Sequence, residues 1–447
     1  MFRATSAGRD DGAPGRKGAG RMAVVVVACA FSITTVLGAC GSSSTEANPT
    51  GPLSFAVFDP FSGPDAAFGP EQMAGCAPAA HLIQAAGGIF QHKTVTCTIV
   101  DTRGDPADAV PAAQKLLFST TGLAAVIGPS SDESSATVPI FNDQQIPCFA
   151  NTGQAIFDQS TLPYFWRPFP ADDTNGYAMA LWAYNNGYRR AAAVFGTDIS
   201  SQGSAPTAIS AFKALGGEVV LAQNIPLTLS SYRTEVNDLL AKKPDIIFHE
   251  ADPQTSATYL SELKDIGGLV PIIGSTGTAE VPWVKSVSKA LGTAAFDKYI
   301  FSTQTYSPAE GKSWETYRDA VLADAAEIAA PADQWVADGY SMGAYDSVNV
   351  VALAMLEANS VVGRDFNSHI QSVTAPSAGA TKVYSFAEGK AALANHQKIQ
   401  YIGATGVMDF NKYHNSNGSF EVRQYVNGID PKQVTVFTPA DLARFGS

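Results

Sequence analysis

The chain has 447 residues, of which 45% are hydrophobic, and a formal net charge of −12; that acidic surplus argues against nucleic acid as a partner. A body of about 400 residues is more than one hydrophobic core usually supports, so two lobes are expected. The six histidines (His81, His92, His249, His369, His396, His414) form no pair at ligand spacing, and neither a P-loop nor a G-x-G-x-x-G follows a predicted strand, so neither a metal nor a cofactor is expected.

In chain order, Arg3, Arg9, Arg16, Lys17 and Arg21 precede an apolar run from Met22 to Val36. The run is too short and too early for a membrane span and reads as a signal peptide. Leu37-Gly38-Ala39-Cys40 comes next and resembles the lipobox of bacterial lipoproteins. That resemblance implies cleavage before Cys40, diacylglyceryl modification of its sulfur and anchorage to the outer face of the bacterial plasma membrane. Residues 1–39 are then the signal, with five basic and two acidic side chains, which leaves −15 on the mature chain. Residues 40–52 are rich in Ser, Thr, Asn, Gly and Pro and form a flexible tether, roughly 40 Å long when extended at about 3.3 Å per residue.

Beyond the tether, β-rich runs alternate with helical patterns. Strands are expected over 53–58, 94–101, 124–128 and 147–150, with helices over 72–86, 107–119 and 133–143 between them. A second series has strands over 164–169, 190–196, 218–225, 245–250 and 271–274, separated by helices over 172–186, 205–215, 232–241 and 255–266. Gly87-Gly88 and Gly216-Gly217 mark helix ends. After a strand near 299–303 the pattern turns helical (314–329 and 335–357), and strand-like segments return at 402–410 and 419–426. The order predicts two doubly wound α/β lobes, 53–170 with 305–408 and 171–304 with 409–447. In such sheets function sits beyond the carboxyl ends of the strands.

Cys29 leaves with the signal. In an oxidising compartment, Cys76 near the start of the first predicted helix and Cys97 in the next predicted strand are placed to form a disulfide, leaving Cys148 free and buried.

At the strand ends the chain resembles the type I periplasmic solute-binding proteins, specifically the branched-chain amino-acid-binding-protein-like group. The segments that carry this are Phe58-Asp59-Pro60-Phe61-Ser62-Gly63-Pro64 with Ala66-Ala67-Phe68-Gly69, Ala85-Ala86-Gly87-Gly88-Ile89, Asp101 with Gly104-Asp105-Pro106-Ala107, Ala125-Val126-Ile127-Gly128-Pro129-Ser130-Ser131, and Ile146-Pro147. Further on come Phe165-Trp166-Arg167, Ala344-Tyr345-Asp346-Ser347-Val348 and Gly403-Ala404-Thr405-Gly406-Val407-Met408-Asp409-Phe410. The resemblance implies two lobes joined by three hinge crossovers, a ligand closed between them, and delivery to an ABC transporter permease.

By the same resemblance, a ligand carboxylate falls to Ser130 and Ser131 and to Thr152, Gly153 and Gln154, while Phe68 covers the ligand. Gln202 stands where relatives often carry tyrosine, and Asp252 and Thr276 lie in the loops that bind an ammonium. Thr276 and Gln154 depart from the amino-acid binders, and Glu250 or Asp252 is the replacement acid. An uncharged polar or a purely anionic ligand fits as well as an amino acid. Read from the residues alone, Ser130 and Ser131 are helix N-caps, the acids are caps or solvated, and Asp132 opposes an anion if it points inward.

Gly339-Tyr340-Ser341-Met342-Gly343 matches the G-x-S-x-G elbow of serine hydrolases, yet 331–339 reads as a helix start and not as the strand an elbow requires. A non-enzymatic solute-binding lipoprotein is therefore expected. A ligand-sensing lipoprotein that signals to a membrane receptor is the alternative, and an esterase at Ser341 a weak third.

Overall fold

The computed structural model describes residues 50–63 and 65–445. The signal segment 1–39, Cys40 and most of the tether lie outside the described residues. Among the described residues no helix is long and apolar enough to cross a membrane.

The first sheet holds five parallel strands, β1 (Leu53–Asp59), β2 (Val95–Asp101), β3 (Leu123–Ser130), β4 (Cys148–Asn151) and β5 (Phe165–Trp166), in the order β2-β1-β3-β4-β5. Successive β1 side chains point to opposite faces: Phe55 and Val57 enter one core, Ala56 and Phe58 another. Both faces are covered, which is why β1 is a continuous apolar run and not an alternating one. Helices Phe68–Ala85 and Gly339–Ala358 cover one face, and helices Pro106–Ser119 and Ser131–Asp143 the other.

The helix Gly339–Ala358 is buried at every position from Ser341 to Met355, so it has no polar stripe. It crosses Phe68–Ala85 at Gly75, where a Cβ would fall 2.0 Å from the Ser341 carbonyl oxygen. A disulfide between Cys76 and Cys97, with Cα atoms 6.0 Å apart, ties the first helix to the edge strand β2. Cys148 is free and buried.

The second sheet begins with β6 (Arg190–Gly196), β7 (Glu218–Ile225), β8 (Ile246–Glu250), β9 (Ile272–Gly274) and β10 (Ile300–Tyr306), all parallel. A small sheet of β11 (Thr381–Val383), β12 (Ile399–Gly403) and β13 (Gly406–Val407) packs into the first lobe's core through Val383, Ile399 and Tyr401. The chain then adds β14 (Ser419–Val426) and β15 (Asp430–Phe437) antiparallel beside β10, giving the order β15-β14-β10-β9-β8-β6-β7. Here too the pleat divides the strand, with Ala191, Ala193 and Phe195 in one core and Ala192 and Val194 in the other.

The two lobes are linked where the chain passes from Trp166 to Asp172, from Tyr306 to Gly311 and from Val407 to Ser419.

Several elements differ from their expected bounds. The first helix starts at Phe68, not at residue 72. The apolar run 164–169 forms a two-residue strand, because the Arg167 N–H donates to the His414 carbonyl and leaves the sheet. The run 402–410 is a hairpin that turns at Gly406, whose φ of +99° suits glycine. The helices expected over 314–329 and 335–357 span Gly311–Ala323 and Gly339–Ala358, the latter begun by Asp338, whose side chain accepts from the Ser341 N–H at 2.7 Å. The helix Val281–Leu291 and strand β15 were not anticipated. Most of β15 is exposed, and its Asp-Pro-Lys-Gln start carries no apolar alternation.

Candidate functional site

The carboxyl ends of β3, β4, β8 and β9 face one another across a narrow cleft of about 40 Å³. The first lobe contributes Phe68, Ser131, Asn151, Thr152 and Gly153, and the second Ser200, Glu250, Thr276, Gly277 and Glu280. Phe169, Pro170 and Asp172 come from the first crossing, and Tyr340 from the long buried helix. A separate cavity of about 450 Å³ lies beside Trp335, Arg423, Tyr425 and Pro431 and shares only Glu280 with the cleft.

Six of the ten ligand residues named from sequence line this cleft: Phe68, Ser131, Thr152, Gly153, Glu250 and Thr276. The other four are engaged elsewhere, each for a local reason. Ser130 donates through Oγ to Glu133 at 2.8 Å, and neither it nor Ser131 is a side-chain cap. Gln154 donates through Nε2 to the Ser131 carbonyl and so supports the loop from behind. Gln202 donates to the Gly196 carbonyl at 2.9 Å. Asp252 caps helix Pro253–Gly267 by accepting from the N–H groups of Gln254 and Thr255, so of these two acids only Glu250 lines the cleft.

The lobes touch directly. Asp132, in the first turn of helix Ser131–Asp143, accepts from the Ser200 N–H at 3.0 Å and from its hydroxyl at 3.2 Å. This contact, with Glu133 beside it, fills the helix start expected to hold a ligand carboxylate, and two acids there oppose an anion. Ser131 Oγ and Thr152 Oγ1 lie 3.2 Å apart, and Ser134 Oγ donates to Thr152 at 3.3 Å.

Carboxyl groups dominate the electrostatics. Asp172 sits between two glycines whose hypothetical Cβ atoms, at Gly153 and Gly203, would fall 2.0 Å from its oxygens. Burial pushes its pKa up to about 7 against the pull of Arg167. Glu250 accepts from Ser275 Oγ and is raised well above the usual range by burial and by Asp172, Asp198 and Asp65. Burial, with Asp338 adding, pushes Glu280 up to about 7. Behind Glu280 stands Glu71, fully buried, accepting from no amide, hydroxyl or cationic donor but sharing a carboxyl hydrogen bond with Glu280, and raised by burial and then by the Glu280 charge. Single oxygens of Glu71, Glu280 and Asp338 lie within 4.8 Å of one another. Asp65 is pushed up to about 8 by burial, then by Asp132.

No described lining residue is Lys, Arg or His. The nearby cations are engaged: Arg167 pairs with Asp158 at 2.6 Å and Arg423 with Glu421 at 2.5 Å. Asn151, Phe169, Pro170, Asp172, Ser200, Gly277, Glu280 and Tyr340 were not singled out from sequence. Asn151 and Gly277 adjoin residues that were, so only their strand-end position could have signalled them.

Ser341 is fully buried inside its helix and donates through Oγ to the Glu71 carbonyl at 2.8 Å. The G-x-S-x-G string is therefore a helix-crossing sequence and no exposed elbow.

Two α/β lobes, three crossings and a polar cleft at the strand ends define a two-lobed binding protein. The sequence model of the periplasmic binding protein family matches residues 52–405, and the chain belongs to that family. Among solved structures, a leucine-binding protein LivK from Thermotoga maritima superposes with a TM-score of 0.69 at 18% identity, covering 87% of this chain and 99% of its own. The branched-chain amino acid transporter substrate-binding protein LivJ from Streptococcus pneumoniae, in complex with isoleucine, gives 0.67 at 18%, covering 87% and 98%. A solute-binding protein of an ABC transporter from Rhodopseudomonas palustris, in complex with p-hydroxybenzoic acid, gives 0.67 at 18%, covering 87% and 97%. At such identities the likeness is one of fold. No curated protein matches the chain.

Proposed function

We propose that the protein is an extracytoplasmic solute-binding lipoprotein that closes on a small polar ligand and presents it to an ABC transporter permease. The observation that carries this reading is the convergence of polar side chains from both lobes, Ser131, Asn151 and Thr152 facing Glu250, Thr276 and Glu280, at one cleft. The lobes, 53–170 with 305–408 and 171–304 with 409–447, move about the three crossings. Ligand contacts to both favour the closed state by their difference in affinity between open and closed forms. Proteins of the same fold have been solved with isoleucine and with p-hydroxybenzoic acid, which supports a small organic solute. A lipid on Cys40 and the tether behind it hold the body near the membrane, so that the permease meets it at a high effective concentration.

The test is a thermal-shift screen of the mature chain in detergent micelles against amino acids, amides, amines and carboxylates. A ligand at 100 times its dissociation constant adds about 2.7 kcal/mol of stability. A screen in which no small polar solute raises the melting temperature overturns the reading.

A further inference from the structure

We infer that the solute taken by this cleft is an organic cation, an alkylammonium or guanidinium without a balancing carboxylate. The inference deepens the solute-binding reading and rests on it.

The lining sets the charge. Asp172, Glu250 and Glu280 bring three carboxyl groups to the cleft, and none of its described lining residues carries a positive charge. A zwitterion or an anion would need a place for its own carboxylate. The helix start that would supply one presents Asp132 and Glu133 in its first turn, and the Ser130 hydroxyl donates to Glu133. Arg167 and Arg423, whose charges reach Asp172 and Glu280, are paired with Asp158 and Glu421 and offset burial only in part.

Glu71 supplies an independent observation. Both its oxygens are buried and accept from no amide, hydroxyl or cationic donor, and its carboxyl group shares a hydrogen bond with that of Glu280, beside which lies Asp338. Glu71 stands on the first lobe's helix Phe68–Ala85 and Glu280 precedes the second lobe's helix Val281–Leu291, so these acids meet across the two lobes. Like charges this close require protons or a cation. Of the three acids whose oxygens lie within 4.8 Å of one another, Glu280 lines the cleft and carries the cluster's charge to its wall.

Aromatic rings complete the case for an organic cation over a metal ion. Phe68, Phe169 and Tyr340 line the same cleft, the last two with ring centroids 4.7 Å apart, and aromatic rings attract an alkylammonium through their π-systems. Calcium seeks six to eight oxygens, and one Glu280 oxygen already accepts from the Gln304 amide at 3.2 Å.

The experiment titrates the mature chain calorimetrically with propylamine, putrescine and agmatine, and in parallel with leucine, benzoate and calcium chloride. At least one amine is expected to bind, with affinity falling as sodium chloride rises, and Glu280→Gln and Glu250→Gln each weaken that amine at least tenfold while retaining the native circular dichroism. Should either variant fail to fold, the other decides. Binding of leucine or benzoate with no response to amines overturns the cation inference and leaves solute binding standing. A response to calcium alone overturns it in favour of a metal site. Amine binding unchanged in both variants removes it from this cleft, and silence from all six probes ends the cation inference, the wider solute screen then deciding the solute-binding reading.

Discussion

Asp346 illustrates how single residues of the family-like strings act through the fold. It is fully buried, and one of its oxygens accepts from the Tyr401 hydroxyl and the Ala404 N–H while the other accepts from the N–H and hydroxyl of Thr405. The segments 344–348 and 403–410, read from sequence as two parts of one resemblance, are thus joined by one carboxylate. Burial nevertheless pushes its pKa up to about 6. Asp346→Asn places an NH2 group against two of those donors and is expected to cost about 2–4 kcal/mol in denaturant unfolding. Ser341→Ala, which removes a single bond to the Glu71 carbonyl, is expected to cost about 1 kcal/mol. Neither the parent nor this variant should label with a fluorophosphonate, and labelling of the folded parent would restore the esterase reading.

Two elements of the first lobe depend on close approach and covalent restraint. The crossing of helices Phe68–Ala85 and Gly339–Ala358 has no room for a side chain at residue 75, because the Ser341 carbonyl and Tyr345 N–H of the facing backbone are in the way. Gly75→Ala must separate two buried helices, and a loss of about 1–3 kcal/mol is expected from chemical denaturation. The Cys76–Cys97 disulfide closes a span of 21 residues. On loop entropy its reduction should cost about 3 kcal/mol. Melting with and without reductant measures this, and buried Cys148 should stay unreactive to alkylation until the chain unfolds.

Across the whole molecule, buried carboxyl groups make stability depend on pH in an uncommon direction. Asp65 is raised to about 8, Asp172 and Glu280 to about 7 and Asp346 to about 6, burial leading in each case. A carboxyl whose pKa is higher folded than unfolded holds more protons in the folded state, so stability falls as pH rises through the interval between the two values. The melting temperature of the ligand-free protein is therefore expected to be higher at pH 5.5 than at pH 8. Calorimetry at constant ionic strength checks this, and a rise toward pH 8 would show that these acids are compensated in solution. A bound cation should flatten the slope, since it replaces the protons.

The sequence by itself determined the features that local pattern dictates. The apolar runs of β1 and β6, the glycines at helix ends and the alternation of strand and helix specified two doubly wound lobes, and strand-end position pointed to the loops in which the family resemblance picked out Ser131, Thr152, Glu250 and Thr276. Chain order could not show which side chains meet once distant segments fold together. Asp252 and Gln154 look like ligand residues in sequence, but local caps and loop props claim them. Glu280, Asp172 and Tyr340 look like loop, helix start and helix interior, and become cleft wall only because three crossings bring two lobes face to face. Charge in the cleft was decided the same way, since the convergence of Asp172, Glu250 and Glu280, far apart along the chain, exists only in the tertiary structure.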